Sequence, residues 1–185
     1  MSPSGSATIN GIEMDVLQDT VDAIRGDPDL GASKFRVTNH WLGGNHNCST
    51  VMDYYGAKQE RHHKQTIELH ADEPYLLAGH DEGANPVEHL LNALAACMTT
   101  SLVAHAAVRG INIQECESHV EGDIDLRGFL GLADVPKGFT SIRVTFHVKT
   151  DEANMRRLRN LAEFSPVYNT LMDGTDVDVK VEKKK

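Results

Sequence analysis

The amino-acid sequence predicts an α+β protein, with antiparallel strands and helices in separate stretches of one chain. Two observations carry that expectation. Segments of apolar/polar alternation come in hairpin-like succession, separated by Gly-containing turns. Between and after them lie segments with apolar residues at helical spacing, the longest bounded by an Asn-Pro start and a Gly stop. At 185 residues, 40% hydrophobic and 24% charged, the chain can bury a core.

Taken in order, "INGIEMDVLQDTVDAIRGDP" reads as a peripheral amino-terminal helix that stops at Gly26 and Pro28, so residues 1–33 form a helical extension. "KFRVTNHWLGGNHNCSTVMDYYGAKQERHHKQTIELHA" reads as strand, Gly-Gly turn, strand, Gly-containing turn, strand: an antiparallel meander rich in β-branched and aromatic residues. In "NPVEHLLNALAACMTTSLVAHAAVRG", Asn85, Pro86 and Glu88 occupy N-cap, N1 and N3, a capping-box arrangement, and Gly110 supplies the stop. The helix between them spans roughly 36 Å at the usual rise. It lacks a clean polar face and is therefore covered on several sides.

From Gln114 to Leu126 the alternation is clean. Glu115, Glu117, His119, Glu121, Asp123 and Asp125 share one face; Cys116, Ser118, Val120, Ile124 and Leu126 share the other. "FTSIRVTFHVK" repeats the pattern with Ile142, Val144, Phe146 and Val148 inward, giving a second hairpin. "DEANMRRLRNLAEF" spaces Met155, Leu158, Leu161 and Ala162 as one helical stripe, and "DVDVKVE" reads as a short closing strand. No internal repeat or linker divides residues 34–183, and 184–185 belong to a basic tail.

A net charge of −9 would repel phosphate backbones, and the terminal "KKK" is a solvated end, so nucleic acid is excluded as a partner. The amino terminus has no basic leader or apolar h-region, and no apolar run is read as long enough to cross a membrane. A cytoplasmic location and no membrane partner are expected. Cys48, Cys97 and Cys116 are an odd set without CxxC or zinc-finger spacing, which fits free thiols in a reducing compartment.

Cys97 sits among Ala, Leu and Thr at the middle of the long helix, either as an inert small hydrophobe or as a thiolate that reacts. The order of meander, long helix with central Cys, hairpin and amphipathic helix resembles the osmotically inducible protein C and organic hydroperoxide resistance (OsmC/Ohr) family over roughly Phe35 to Val181. The stretches "ADEPYLLAGHDEGANPVEHLLNALAACMTTSL", "RGINI" and "SPVYNTL" carry the likeness. The resemblance implies an intertwined homodimer in which strands of both chains wrap two central helices, with a redox pocket at the subunit boundary. It places Cys97 at the peroxidatic position.

Three departures from the family pattern follow. The family's second cysteine, immediately before Pro-Val, is Ser165 here, and a hydroxyl cannot form a disulfide. The carboxylate expected directly after the helix-opening proline is Val87, with Glu88 one later and nearly opposite Cys97 on an ideal helix. The first hairpin, "WLGGNHNCS", offers His46 but no arginine, leaving Arg36, Arg61, His62 or His63 as substitutes. Cys97, Glu88 and Ser165 are thus the candidate catalytic set. Beside that role, Glu88 is satisfied as a capping residue and Ser165 with Pro166 as an N-cap pair. Cys116 and Cys48 read as packing, Cys48 being the one substitute resolver to test.

Metal and cofactor are not expected. His46 with Cys48, or His62 with His63, could in principle ligate, but neighbours on a strand point to opposite faces and no HExxH or facial-triad spacing exists. His89 and His105 lie about 12 Å from Cys97 along the helix axis. The expectation is a thiol-dependent redox homodimer reducing organic hydroperoxides in a one-cysteine cycle, with an external thiol as reductant. The alternative is a non-catalytic dimer binding a small hydrophobic or thiol-reactive ligand.

Overall fold

The computed structural model describes residues 8–184, which fall into two compact units, the chain passing from the first to the second between Asn92 and Ala93. The first unit opens with a small hairpin of β1 (Thr8–Ile9) and β2 (Ile12–Glu13). Its turn is Asn10-Gly11, both at positive φ, the pairing that matches strand twist. Helix α1 (Met14–Gly26) follows and buries none of its residues.

The meander then forms a four-stranded sheet. β5 (His46–Gly56) is central, β4 (Thr38–Gly43) and the short β3 (Lys34–Phe35) lie along one of its edges, and β6 (Gln59–Ala71) lies along the other. Gly43 and Gly44 turn β4 into β5 at positive φ, and Ala57-Lys58 turn β5 into β6 the same way. Cys48 pairs with His40 on one side and His70 on the other. Directly paired residues and those two apart share a face, so His40, His46, Cys48, Glu68 and His70 share one. Trp41, Ile67 and Leu69 belong to the opposite face and stay exposed.

The loop from β6 to the long helix is built around one buried carboxylate. Asp72, with no exposed surface, accepts backbone N–H bonds from Glu73 (2.8 Å), His80 (2.9 Å) and Glu82 (3.3 Å). Burial pushes its pKa up, but the three donors together outweigh that and hold the acid below its ordinary range. A Cβ at Gly79 would lie 1.6 Å from the Glu73 carbonyl oxygen, so only glycine fits the fold-back.

Helix α2 (Pro86–Val108) starts in the first unit and runs through the second. The capping box is formed: Asn85 Oδ1 accepts from Glu88 N (2.8 Å), and Glu88 Oε2 accepts from Asn85 N (2.9 Å). At the far end Gly110, at φ +67°, lets the chain reverse, and Ile111 N donates to Ala106 O at 2.9 Å. By length and composition α2 could cross a membrane, which corrects the expectation that no run was long enough. Asn92 and Thr99 to Ser101 interrupt the apolar run without adding charge. The buried row Leu94, Met98, Leu102 and Ala106 shows what one face of the helix does instead: it joins the second unit's core.

In that unit β7 (Glu115–Ile124) and β8 (Phe139–Lys149) pair antiparallel, with the short α3 (Leu126–Phe129) in the connection. Cys116, Val120, Ile142, Val144, Phe146 and Val148 turn inward against the core. The other face is wet, and Arg143 bridges Glu121 and Asp123 there. Helix α4 (Glu152–Ala162) adds Leu158, Leu161 and Ala162 to the core, and α5 (Pro166–Asp173) follows. Each fully buried Leu contributes about 1.5–3 kcal/mol, so this cluster dominates the unit's stability.

The molecule is thus an α+β protein with antiparallel sheets and one long helix. Two elements differ from expectation: "INGIE" opens as the β1–β2 hairpin before the helix begins at Met14, and "DVDVKVE" is not a strand. Val177, Val179 and Val181 are 78%, 76% and 95% exposed, and among the described residues no strand pairs with their backbone. Alternation alone does not make a strand without a neighbour to accept its hydrogen bonds.

Candidate functional site

Cys97 lies on α2, directly before Met98, and is half-buried. A step of about 100° separates their side chains around the helix. Met98 therefore enters the core row while Cys97 is offset from it. Among the described residues the Cys97 Sγ makes no hydrogen bond or ion pair. Cys116 is the contrasting case: it is inward on β7, and burial pushes its thiol pKa up, which disfavours the thiolate.

Ser165 is fully buried and caps α5. Its Oγ accepts from Tyr168 N at 3.1 Å, Pro166 takes N1, and its carbonyl accepts from Asn169 N (3.1 Å) and Asn169 Nδ2 (2.8 Å). Glu88 is engaged in the capping box. Both residues therefore have structural work that accounts for their presence.

The substitute cations on the meander are likewise occupied. Arg36 forms a bidentate pair with Glu60 at 2.7 and 2.9 Å, and that bond raises the guanidinium pKa further. Arg61 Nε donates to Gly56 O at 3.1 Å. His62 and His63 follow one another on β6, so they face opposite ways, and the His63 ring packs 5.2 Å from Tyr54. His46 and Cys48 both approach His70: His46 Nε2 lies 3.0 Å from His70 Nδ1, and Cys48 Sγ lies 3.8 Å from His70 Nε2.

Two features escaped the sequence reading. The first is a cavity of about 440 Å³ in the second unit, lined by Met98, Leu102, Phe146, Met155, Leu158 and Tyr168 among others, with Glu163 also at its wall. Its walls are mostly apolar, so it suits the hydrocarbon part of a ligand. Met98 reaches it and Cys97 does not. The second is a cluster at the end of α2: the His105 and Phe164 rings lie 4.2 Å apart, Arg109 stacks over Phe164 at 5.8 Å, and Arg109 Nη1 donates to His105 O at 3.0 Å. Burial, and then the Arg109 charge, lower the His105 pKa. The i, i+4 spacing of His105 and Arg109 was the available signal. The cavity had none, because it arises where β8, α2 and α4 converge.

These features define a small α+β protein with a cysteine-bearing spine helix and an apolar cavity beside it. A family model described as OsmC-like protein matches residues 79–180, more than half of the chain, and the chain belongs to that family. Among solved structures, an OsmC-like protein from Mycoplasma pneumoniae is 21% identical with a TM-score of 0.54, the match covering 76% of this chain and 89% of that one. An organic hydroperoxide resistance protein OsmC from Legionella pneumophila is 18% identical with a TM-score of 0.50, covering 74% and 89% respectively. At these identities the likeness concerns the fold. No curated protein matches the chain.

Proposed function

We propose that the protein is a thiol-dependent redox protein that reduces organic hydroperoxides through Cys97 in a one-cysteine cycle. The observation that carries this reading is the division of labour among the thiols. Cys97 is partly open and uncommitted among the described residues, whereas Cys116 is turned into the core, where burial pushes its thiol pKa up, and Cys48 faces His70. The Cys97 thiolate attacks the terminal peroxide oxygen; an S–O bond forms, the O–O bond breaks, and the alkoxide leaves as an alcohol after taking a proton. The sulfenic acid condenses with one external thiol, releasing water, and a second thiol reduces the mixed disulfide to regenerate Cys97. Ser165 takes no covalent part because it has no sulfur, and Glu88 and Ser165 act by fixing the helix starts.

A cytoplasmic homodimer is part of the proposal. Trp41 is 75% exposed, and Ile67 and Leu69 stay exposed on the same face of the meander, an apolar set that a second copy would cover. The second reading, a non-catalytic protein binding a hydrophobic ligand, is favoured by one observation: the cavity's wall includes Met98 but not Cys97. Hydroperoxide consumption with a thiol reductant, compared between wild type and Cys97→Ala, separates them. Loss in the variant supports the redox reading, and no consumption by folded wild type supports the binding one.

A further inference from the structure

From the strand register of the first unit, we propose that Cys48, His70 and Glu68 bind one zinc-class divalent cation on the polar face of the meander. Cys48 and His70 are directly paired across β5 and β6, and Glu68 lies two residues from His70 on the same face. The Cys48 Sγ, one ring nitrogen of His70 and one Glu68 carboxylate oxygen all lie within 4.8 Å of one another. In a tetrahedral zinc site, bonds of about 2.0–2.3 Å place sulfur and nitrogen roughly 3.5 Å apart. The 3.8 Å between Cys48 Sγ and His70 Nε2 is within a few tenths of that. Thiolate, imidazole and carboxylate are together a borderline donor set, matching zinc rather than magnesium or calcium. Three protein ligands leave the fourth position to water.

The surrounding hydrogen bonds prepare His70 for that role. Glu82 Oε2 lies 3.2 Å from His46 Nδ1, which places a proton on that nitrogen. In the neutral tautomer of His46 the Nε2 is then a lone pair, placed at 3.0 Å to accept from His70 Nδ1–H. The remaining nitrogen, His70 Nε2, carries a lone pair directed toward Cys48 Sγ. The backbone helps as well, because His89 Nε2 lies 2.9 Å from the His70 carbonyl oxygen. A carboxylate–histidine–histidine relay of this kind sets the tautomer of a ligating imidazole and fixes its ring orientation. The competing arrangement, in which His70 simply deprotonates Cys48, would bring a thiolate beside the Glu68 carboxylate. A divalent cation removes that like-charge conflict.

Local spacing hides this site because the ligands come from two strands and meet through register. It does not depend on the chemistry proposed for Cys97, and the test keeps the two apart. Tag-free, metal-stripped full-length protein is titrated with cobalt(II), monitoring thiolate-to-cobalt charge-transfer absorption, with circular dichroism on every variant to confirm folding. The expected result is saturation at one equivalent, displacement by zinc, loss of the band in Cys48→Ser, weakened binding in His70→Ala and Glu68→Gln, and an unchanged band in Cys97→Ser and Cys116→Ser. His46→Gln should keep the band and weaken affinity by about 10- to 100-fold, the usual effect of removing an orienting partner. Folded wild type that shows no thiolate–cobalt band overturns the proposal, and so does a band lost in Cys97→Ser but kept in Cys48→Ser.

Discussion

Replacing Ser165 by alanine separates a capping serine from a catalytic one. The substitution removes the acceptor for Tyr168 N at 3.1 Å at a fully buried position. Loss of an N-cap costs about 1 kcal/mol, and leaving an interior N–H without a partner raises the total to roughly 2 kcal/mol. In a protein of this size each kcal/mol lowers Tm by about 2–4 °C, so the expected drop is about 4–8 °C. Glycine at an N-cap loses only a few tenths relative to serine, so Ser165→Gly should melt above Ser165→Ala. Thermal and urea unfolding measure both, while hydroperoxide consumption per folded molecule should stay at the wild-type value. A Ser165→Ala protein that melts with wild type yet has lost consumption would refute the capping assignment and make the hydroxyl part of the chemistry.

Other consequences are equally direct. Cys97→Ala should abolish hydroperoxide consumption while Cys116→Ala leaves it intact, as followed by peroxide assay; equal loss in both would indicate damaged folding. The lowered His105 pKa means that the unfolded chain binds the proton first as pH falls below about 6.5. Its share of stability is therefore full above that pH and is lost on acidification toward the folded-state pKa. Urea melts at several pH values should show a slope that flattens in His105→Gln, and an identical slope in the variant would contradict the assignment. Light scattering at micromolar concentration should give a homodimer, and a folded monomer would remove the proposed cover for Trp41 and Leu69.

Much of the fold was legible because its signals are local. The Asn85–Glu88 box, the Gly110 stop and the alternation of Glu115 to Ile124 are each properties of neighbouring residues, and each formed as read. The closing strand failed because pairing is non-local: Val177 to Val181 alternate, yet among the described residues no edge receives them. The Asn10-Gly11 hairpin was overlooked because its strands are two residues long, too short for a period to register. Motif resemblance pointed to "ADEPYLLAGHDEGA", but why those residues matter emerged only with coordinates: Asp72 collects three backbone donors, and Gly79 passes where no Cβ fits. For the candidate site, sequence identified Cys97 and the capping alternative for Ser165. It could not find the cavity or the Cys48–His70–Glu68 grouping, since both depend on which strands and helices lie side by side.

The proposed chemistry makes Cys97 the reacting sulfur and gives it no resolving thiol. Peptide mass spectrometry of wild type treated with excess organic hydroperoxide, without reductant, tests it most directly. A sulfenate with no partner thiol waits and meets a second peroxide, so the expected product is Cys97 sulfinic acid with no intramolecular disulfide. An unmodified Cys97 in folded protein, or a disulfide from Cys97 to Cys48 or Cys116, would contradict it.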